Sequence, residues 1–257
     1  MVRDVKHHRR RPHDSTHDGA PGSFLVRNSF IFIVLTLTGT FILPALPGTS
    51  APRPAQNPTA EVERIVDGLN RYLAEVRDMS ADFVQIQDNG LNQPRREEGH
   101  VYLHRSRKMR WEYDRPEVKI YVVDGDRESD YLPGENLLRR RRVDERFYDQ
   151  VPLMSILGRQ NVMDEVYQTR LLPIGTPEAR VEGARALRLV PRRESDVQDI
   201  FLEVDPESFD IRRLKMTYVN GDTTDFVFSN VQTNIGLSDA LWEIVPAPGT
   251  DIVDMVN

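Results

Sequence analysis

From Met79 onward apolar and polar residues alternate along most of the chain, broken by the triplets Asp88-Asn89-Gly90, Asp124-Gly125-Asp126 and Asn220-Gly221-Asp222. Side chains that point to opposite sides with period two mark a strand, and Asn-Gly and Asp-Gly pairs supply the positive φ angles that tight hairpins need. Strands joined this way form antiparallel meanders. The sharpest case is Arg105 to Pro116, where Met109, Trp111 and Tyr113 alternate with Lys108, Arg110, Glu112 and Asp114. One face of that strand is buried and the other wetted; whether the buried face meets a packed core or a cavity is open at this level.

Strands are expected near Met79–Phe83, Gly99–Arg105, Met109–Tyr113, Val118–Val123, Ser129–Leu132, Leu137–Val143, Ala186–Val190, Ile200–Val204, Ile211–Val219 and Thr223–Val231, with a short one after Gly249. Asn220-Gly221-Asp222 is the strongest hairpin signal. Two helical regions interrupt the pattern. After Thr59 as N-cap, Val62, Ile65, Val66, Leu69, Tyr72, Leu73 and Val76 recur at steps of three and four, opposite a face of Glu61, Glu63, Arg64, Asp67, Arg71 and Glu75. Tyr148 to Gln168 is helical in character, with a short helix from Pro152 to Leu157 stopped by Gly158, and Leu237–Trp242 suggests one further helical turn. The predicted fold is mainly β with α: a single curved antiparallel sheet of about ten strands, partly closed into a barrel, with helices packed on it.

The first fifty-one residues differ from the rest. Lys6, Arg9, Arg10, Arg11 and Arg27 precede the apolar run Phe30 to Leu43, which closes in the small and turn-forming residues Pro44 to Ala51. Basic, then apolar, then small is the layout of a secretory signal, and the run is short for a membrane span, although an uncleaved anchor is the alternative. Cleavage after Ser50 or after Ala51 is open. The lead before Val26 is long, and a start near Leu25 or Val26 would leave a compact one. The expected organisation is a signal over 1–51, a Pro-rich linker over 52–58, where Pro52, Pro54 and Pro58 break regular structure, and one domain over 59–257.

Formal net charge is −6, and residues 1–51 hold six Lys/Arg against three Asp/Glu, so the exported part is more acidic still. A nucleic-acid partner is not expected on that balance. The chain has no cysteine, which excludes disulfides, thiol catalysis, cysteine-ligated zinc and a lipidated amino-terminal cysteine. Past the signal only His100 and His104 remain; four residues apart on a strand, about 13 Å, they are too far apart for one metal ion. There is no Gly-x-Ser-x-Gly elbow, phosphate-cradling glycine loop or His-Glu-x-x-His helix. Carboxylates are abundant but nothing singles out a pair, so an exported hydrolase is a minor alternative. No cofactor, metal or catalytic residue is expected.

Taken in order, Met79-Ser80-Ala81-Asp82-Phe83-Val84-Gln85, Gly99 to Arg105 running into Met109-Arg110-Trp111-Glu112-Tyr113 and Pro116, Val123-Asp124-Gly125, Pro152-Leu153, Phe228-Ser229-Asn230, Leu241-Trp242 and Pro246 to Asp251 resemble the outer-membrane lipoprotein carrier family, LolA. The resemblance covers nearly all of residues 59–255. It implies an incomplete, half-open β-barrel covered by a helical lid, with an apolar cavity for the acyl chains of lipoproteins. It further implies a monomeric periplasmic carrier, not an enzyme, that takes acylated lipoproteins from an ATP-driven (ABC-type) extraction complex of the inner membrane and passes them to an outer-membrane receptor. A periplasmic lipid-binding or envelope-sensor module of the same fold is the alternative.

By position, Arg105 matches the family's arginine that reaches the lid helix in the closed state, and Leu73 matches the lid residue whose backbone it contacts. An arginine carries up to five donors and can hold helix carbonyls; the competing reading is a head that only reaches solvent. Phe83, Val101, Leu103, Met109, Trp111 and Ile120 are the candidate cavity wall, against the alternative of an ordinary core, and Val62, Ile65, Val66, Leu69 and Val76 are the apolar face of the lid helix. Ser106 and Arg107 stand where carriers often have Pro and Gly or Asn. Arg139 to Arg142 place two arginines on each face of a strand, which reads either as a charged strand edge or as a contact for an acidic partner or lipid headgroups.

Overall fold

The computed structural model describes residues 58–144, 147–148, 151, 157 and 161–255. The expected signal over 1–51, residues 52–57 of the expected linker and most of the short helix expected at 152–157 lie outside the described residues.

Helix α1 runs from Pro58 to Glu75. It begins one residue before Thr59, which therefore lies in the first turn instead of capping it. Proline is tolerated in a first turn, because the missing N–H has no helical partner there. Ile65, Leu69 and Leu73 are fully buried, Val66 and Val76 nearly so and Val62 half-buried, so the stripe read from spacing is the one that packs. Gly68 lies within this helix although glycine costs about 1 kcal/mol there relative to alanine. A Cβ at this position would stand 2.1 Å from the Phe209 ring, which packs against the helix backbone.

The strands are β1 (Asp78–Asp88), β2 (Arg95–His104), β3 (Lys108–Arg115), β4 (Lys119–Val123), β5 (Arg127–Leu132), β6 (Leu137–Arg142), β7 (Tyr167–Leu171), β8 (Arg185–Pro191), β9 (Val197–Val204), β10 (Ile211–Tyr218), β11 (Thr223–Thr233) and β12 (Asp251–Asp254). They form one curved twelve-stranded sheet in the order β12-β6-β5-β4-β3-β2-β1-β11-β10-β9-β8-β7. Its two edges, β12 and β7, do not pair with each other, so the barrel is incomplete as expected. The expected hairpin joins β10 to β11, with Gly221 at φ 92.

Two details differ from expectation. Tyr167 and Gln168, expected in a helical region, begin β7; among the described residues of that region Tyr148 is helical and a short helix, α2, spans Val162–Glu165. Tyr167, Thr169 and Leu171 alternate with Gln168 and Arg170, a brief period-two signal that marks this strand in the sequence. The last strand, β12, pairs parallel to β6, the one parallel pairing among the described strands. The chain gets there by crossing the outer face of the sheet. Arg110 Nη1 donates to the carbonyls of Leu241 and Glu243 at 3.0 and 3.2 Å, Lys108 pairs with Asp239 at 2.9 Å, and the Tyr131 hydroxyl accepts from Ala247 N at 3.1 Å.

A second connection covers the outer face of β8 to β10. Glu203, fully buried, accepts from the Arg180 and Val181 amides and from Arg213 Nη1 at 2.6 Å, while Arg213 also holds Asp225 through two bonds of 2.8 and 2.7 Å. A buried ion pair is tolerable only when its remaining donors and acceptors are met, as they are here. This explains why β9 is buried on both faces from Ile200 to Val204.

Candidate functional site

The face of the sheet under α1 changes character along its strands. On β1 it carries, in order, Met79, Ala81, Phe83, Gln85 and Gln87; opposite them on β2 stand Leu103, Val101, Gly99, Glu97 and Arg95. On β3 the same face carries Met109, Trp111 and Tyr113, and on β11 Phe228, Phe226 and Thr224. The end near the β2–β3 turn is apolar, the middle aromatic, and the end near the β1–β2 loop polar and charged. The ring of Phe83 meets Trp111 edge-on at 4.8 Å and Tyr113 at 5.1 Å, and Phe226 lies 5.0 Å from Trp111. Beside this cluster is a cavity of about 430 Å³ lined by Met109, Trp111, Tyr113, Tyr121, Val151, Leu214, Met216 and Phe226, with Gln85, Gln87, Tyr218 and Thr224 at its polar side. Gln87, Tyr218 and Thr224 also line a polar depression by the Asn89–Gln93 loop.

Of the residues expected in the cavity wall, Met109 and Trp111 line it. Phe83 stands behind Trp111, and Val101 and Leu103 face the same side but are fully buried in the core. Ile120 does not belong to this face. It pairs with Glu112, whereas its neighbour Tyr121 pairs with Trp111 and lines the cavity. Val118 to Val123 is apolar on both faces, so alternation alone could not set the phase; cross-strand register does. Tyr113 belongs to the alternating stripe seen in the sequence but not to the expected cavity wall, and Tyr121, Leu214, Met216 and Phe226 are not marked there by any signal of their own. Following the inner stripe from Trp111 across the hairpins would have found Tyr121.

The Tyr113 hydroxyl donates to Gln85 Oε1 at 3.0 Å, and the Tyr121 hydroxyl to Glu128 Oε2 at 2.9 Å. Burial raises both phenols well above their ordinary range, and nearby Glu97 and Glu128 respectively push further in the same direction. Both are therefore neutral hydrogen-bonding groups. Arg141 closes a forked pair on Glu128 at 2.5 and 3.1 Å, and Arg139 lies 3.5 Å from Asp130. These two of the four consecutive arginines share the face of Tyr121, and Arg140 and Arg142 take the other. Burial raises the Asp130 carboxyl against the pull of Arg139 and Lys119.

Arg105 follows β2 at the apolar end. Its Nη2 donates to the carbonyl of Ala74 in the last turn of α1 at 3.1 Å, and its backbone N–H to the carbonyl of Arg77 at 2.8 Å. The acceptor is thus one residue beyond the expected Leu73, whose side chain is fully buried. The shift is physical: Leu73 points into the core, and the next carbonyl is the one within reach. Arg107 adopts φ 65 in the turn, the backbone region that glycine or asparagine takes at least cost.

On the outer face His100 Nδ1 lies 2.5 Å from Asp82 and Nε2 3.6 Å from Asp114, with all three side chains partly open to solvent. Among the described residues no group of three or more His, Asp or Glu is placed to hold a metal ion.

The family model described as outer membrane lipoprotein carrier protein LolA matches residues 74–245, about two thirds of the chain. The chain belongs to the LolA family. Among curated LolA proteins, an outer-membrane lipoprotein carrier protein of Methylobacillus flagellatus is 25% identical over 73% of this chain and 88% of its own length. One from Chromohalobacter salexigens is 25% identical over 79% and 90%. Among solved structures, an uncharacterized conserved protein from Thermus thermophilus aligns over 76% of this chain and 99% of its own, with 16% identity and a TM-score of 0.48.

Proposed function

We propose that this protein is a periplasmic carrier that shelters the acyl chains of lipoproteins in the cavity beside Trp111 and hands them from an inner-membrane extraction complex to an outer-membrane receptor. The observation that carries the reading is an aromatic cavity of about 430 Å³ on the helix-covered face of a LolA-family sheet. Small-molecule sites of this kind typically enclose about 300–1,000 Å³. Burying about ten methylenes contributes about 8 kcal/mol, which corresponds to micromolar binding before ordering costs are subtracted. That is tight enough to carry a chain through water and weak enough to give it up. Residues 1–51 serve as the export signal in this reading, and the linker ends at residue 57, because Pro58 already belongs to α1.

Arg105 holds the last turn of α1 while the cavity is empty. A single hydrogen bond of this kind is worth about 1 kcal/mol net, far below the gain from acyl burial, so cargo can displace it. The lid role of α1 rests on its buried stripe of Ile65, Leu69 and Leu73. No bond is made or broken in such a cycle.

Photo-crosslinking from a reactive residue placed at Trp111 in living cells tests the proposal. Cross-linked acylated lipoproteins are the expected product. Capture of free lipid alone would move the assignment to a lipid-sensing module, and no lipid-containing product would overturn it.

A further inference from the structure

The face that lines the cavity ends in a charged cluster that acyl chains cannot use. Glu97 is 1% exposed and sits directly opposite Gln85, which lines the cavity. Its Oε1 takes both available cations, Lys119 Nζ at 2.7 Å and Arg95 Nη2 at 2.9 Å. Its Oε2 is buried and has no hydrogen-bonding partner. Lys119 lies over the Tyr113 ring at 3.9 Å, and the Tyr113 hydroxyl donates to Gln85, so the cluster is fixed to the cavity wall itself. A buried carboxylate oxygen left unpaired is costly, and a site of this kind gains from any ligand that supplies the donor. With two cations already on the one carboxylate, a third positive charge would be repelled, while a neutral N–H would not.

We propose that Glu97 Oε2 accepts a hydrogen bond from an amide N–H of the acylated polypeptide, close to the point where acyl chain and polypeptide join. This deepens the carrier reading and rests on it. It also orients the cargo. The acyl chain runs toward Met109 and the apolar end under α1, and the polypeptide leaves past the Asn89–Gln93 loop, where the surface is polar.

Two probes that differ by one atom test this: N-dodecanoylglycine methyl ester and its oxygen counterpart, the methyl ester of O-dodecanoylglycolic acid. Both present the same chain, and only the first has the N–H. Titration calorimetry on the wild-type protein should show the amide binding about tenfold more tightly, the scale of a hydrogen bond to a charged acceptor. In Glu97→Met the two probes should bind alike, and in Glu97→Gln, which keeps an uncharged oxygen, the preference should shrink without vanishing. Equal binding of both probes to the wild-type protein overturns the subsite and leaves the cavity reading standing. So does a preference that survives in Glu97→Met. Failure of both probes to bind overturns the cavity reading and the subsite with it. The wild-type comparison needs no variant, so the test holds even if Glu97→Met does not fold.

Discussion

At the scale of single residues, Arg105 is the cheapest place to separate the lid from the fold. Its side chain is exposed and, among the described residues, makes one hydrogen bond, to the Ala74 carbonyl. Arg105→Leu should therefore change global stability by about 1 kcal/mol or less in a denaturant titration, while amide hydrogen exchange rises over the last turn of α1. In the carrier reading the same variant should release cargo more slowly to receptor-bearing vesicles, because the emptied lid no longer has a closed state to return to. Unchanged release would remove Arg105 from the mechanism. The arginine's reach to the helix was legible from resemblance, but its acceptor was not, since choosing between Leu73 and Ala74 needs the rotation of the helix against β2. Glu97 was not legible at all. An Arg-Arg-Glu-Glu run at a strand start reads as solvated surface, and only the pairing of Glu97 with Gln85 puts it inside.

Elements depend on close approaches that composition cannot reveal. β2 and β3 change register between Glu98 and Gly99, and an added Cβ at Gly99 would stand 1.8 Å from the Glu112 carbonyl oxygen. Backbone meets backbone there, so no side chain can yield. Gly99→Ala should part the strands behind Trp111 and destabilise the fold by about 2–3 kcal/mol, seen as a lower denaturation midpoint with an unchanged slope. Gly134, whose Cβ would meet open space, is the control, and Gly134→Ala should stay within about 0.5 kcal/mol. Most elements were legible because hairpins are local: a turn triplet and two alternating runs determine each one. Those that were not, β7 and the parallel pairing of β12, depend on contacts between distant segments. β12 reaches β6 only because Arg110, Lys108 and Tyr131 hold the intervening chain across the outer face.

The whole molecule couples its cavity to its stability through neutral phenols. Tyr72 on α1 and Tyr113 and Tyr121 on the cavity wall all have their ionisation pushed far above the ordinary phenol value of about 10, chiefly by burial. The sign follows from proton counting. Between that ordinary value and the raised ones, the folded state keeps protons on these groups that the unfolded chain has lost, so the folded state binds more protons and stability falls as pH rises. Below about pH 10 the contribution is fully present. In a phenolate absorbance titration these three rings should thus stay protonated through the ordinary phenol range while the protein is folded. A late cooperative step, in which Tyr72, Tyr113 and Tyr121 ionise, should coincide with loss of the near-ultraviolet signal of Trp111. Filling the cavity with an acyl probe stabilises the folded state by mass action and should move that late step to higher pH. If the three phenols instead titrate near the ordinary phenol value of about 10 while the fold is intact, then the cavity is open to water on its aromatic side, and its walls could not keep an acyl chain dry.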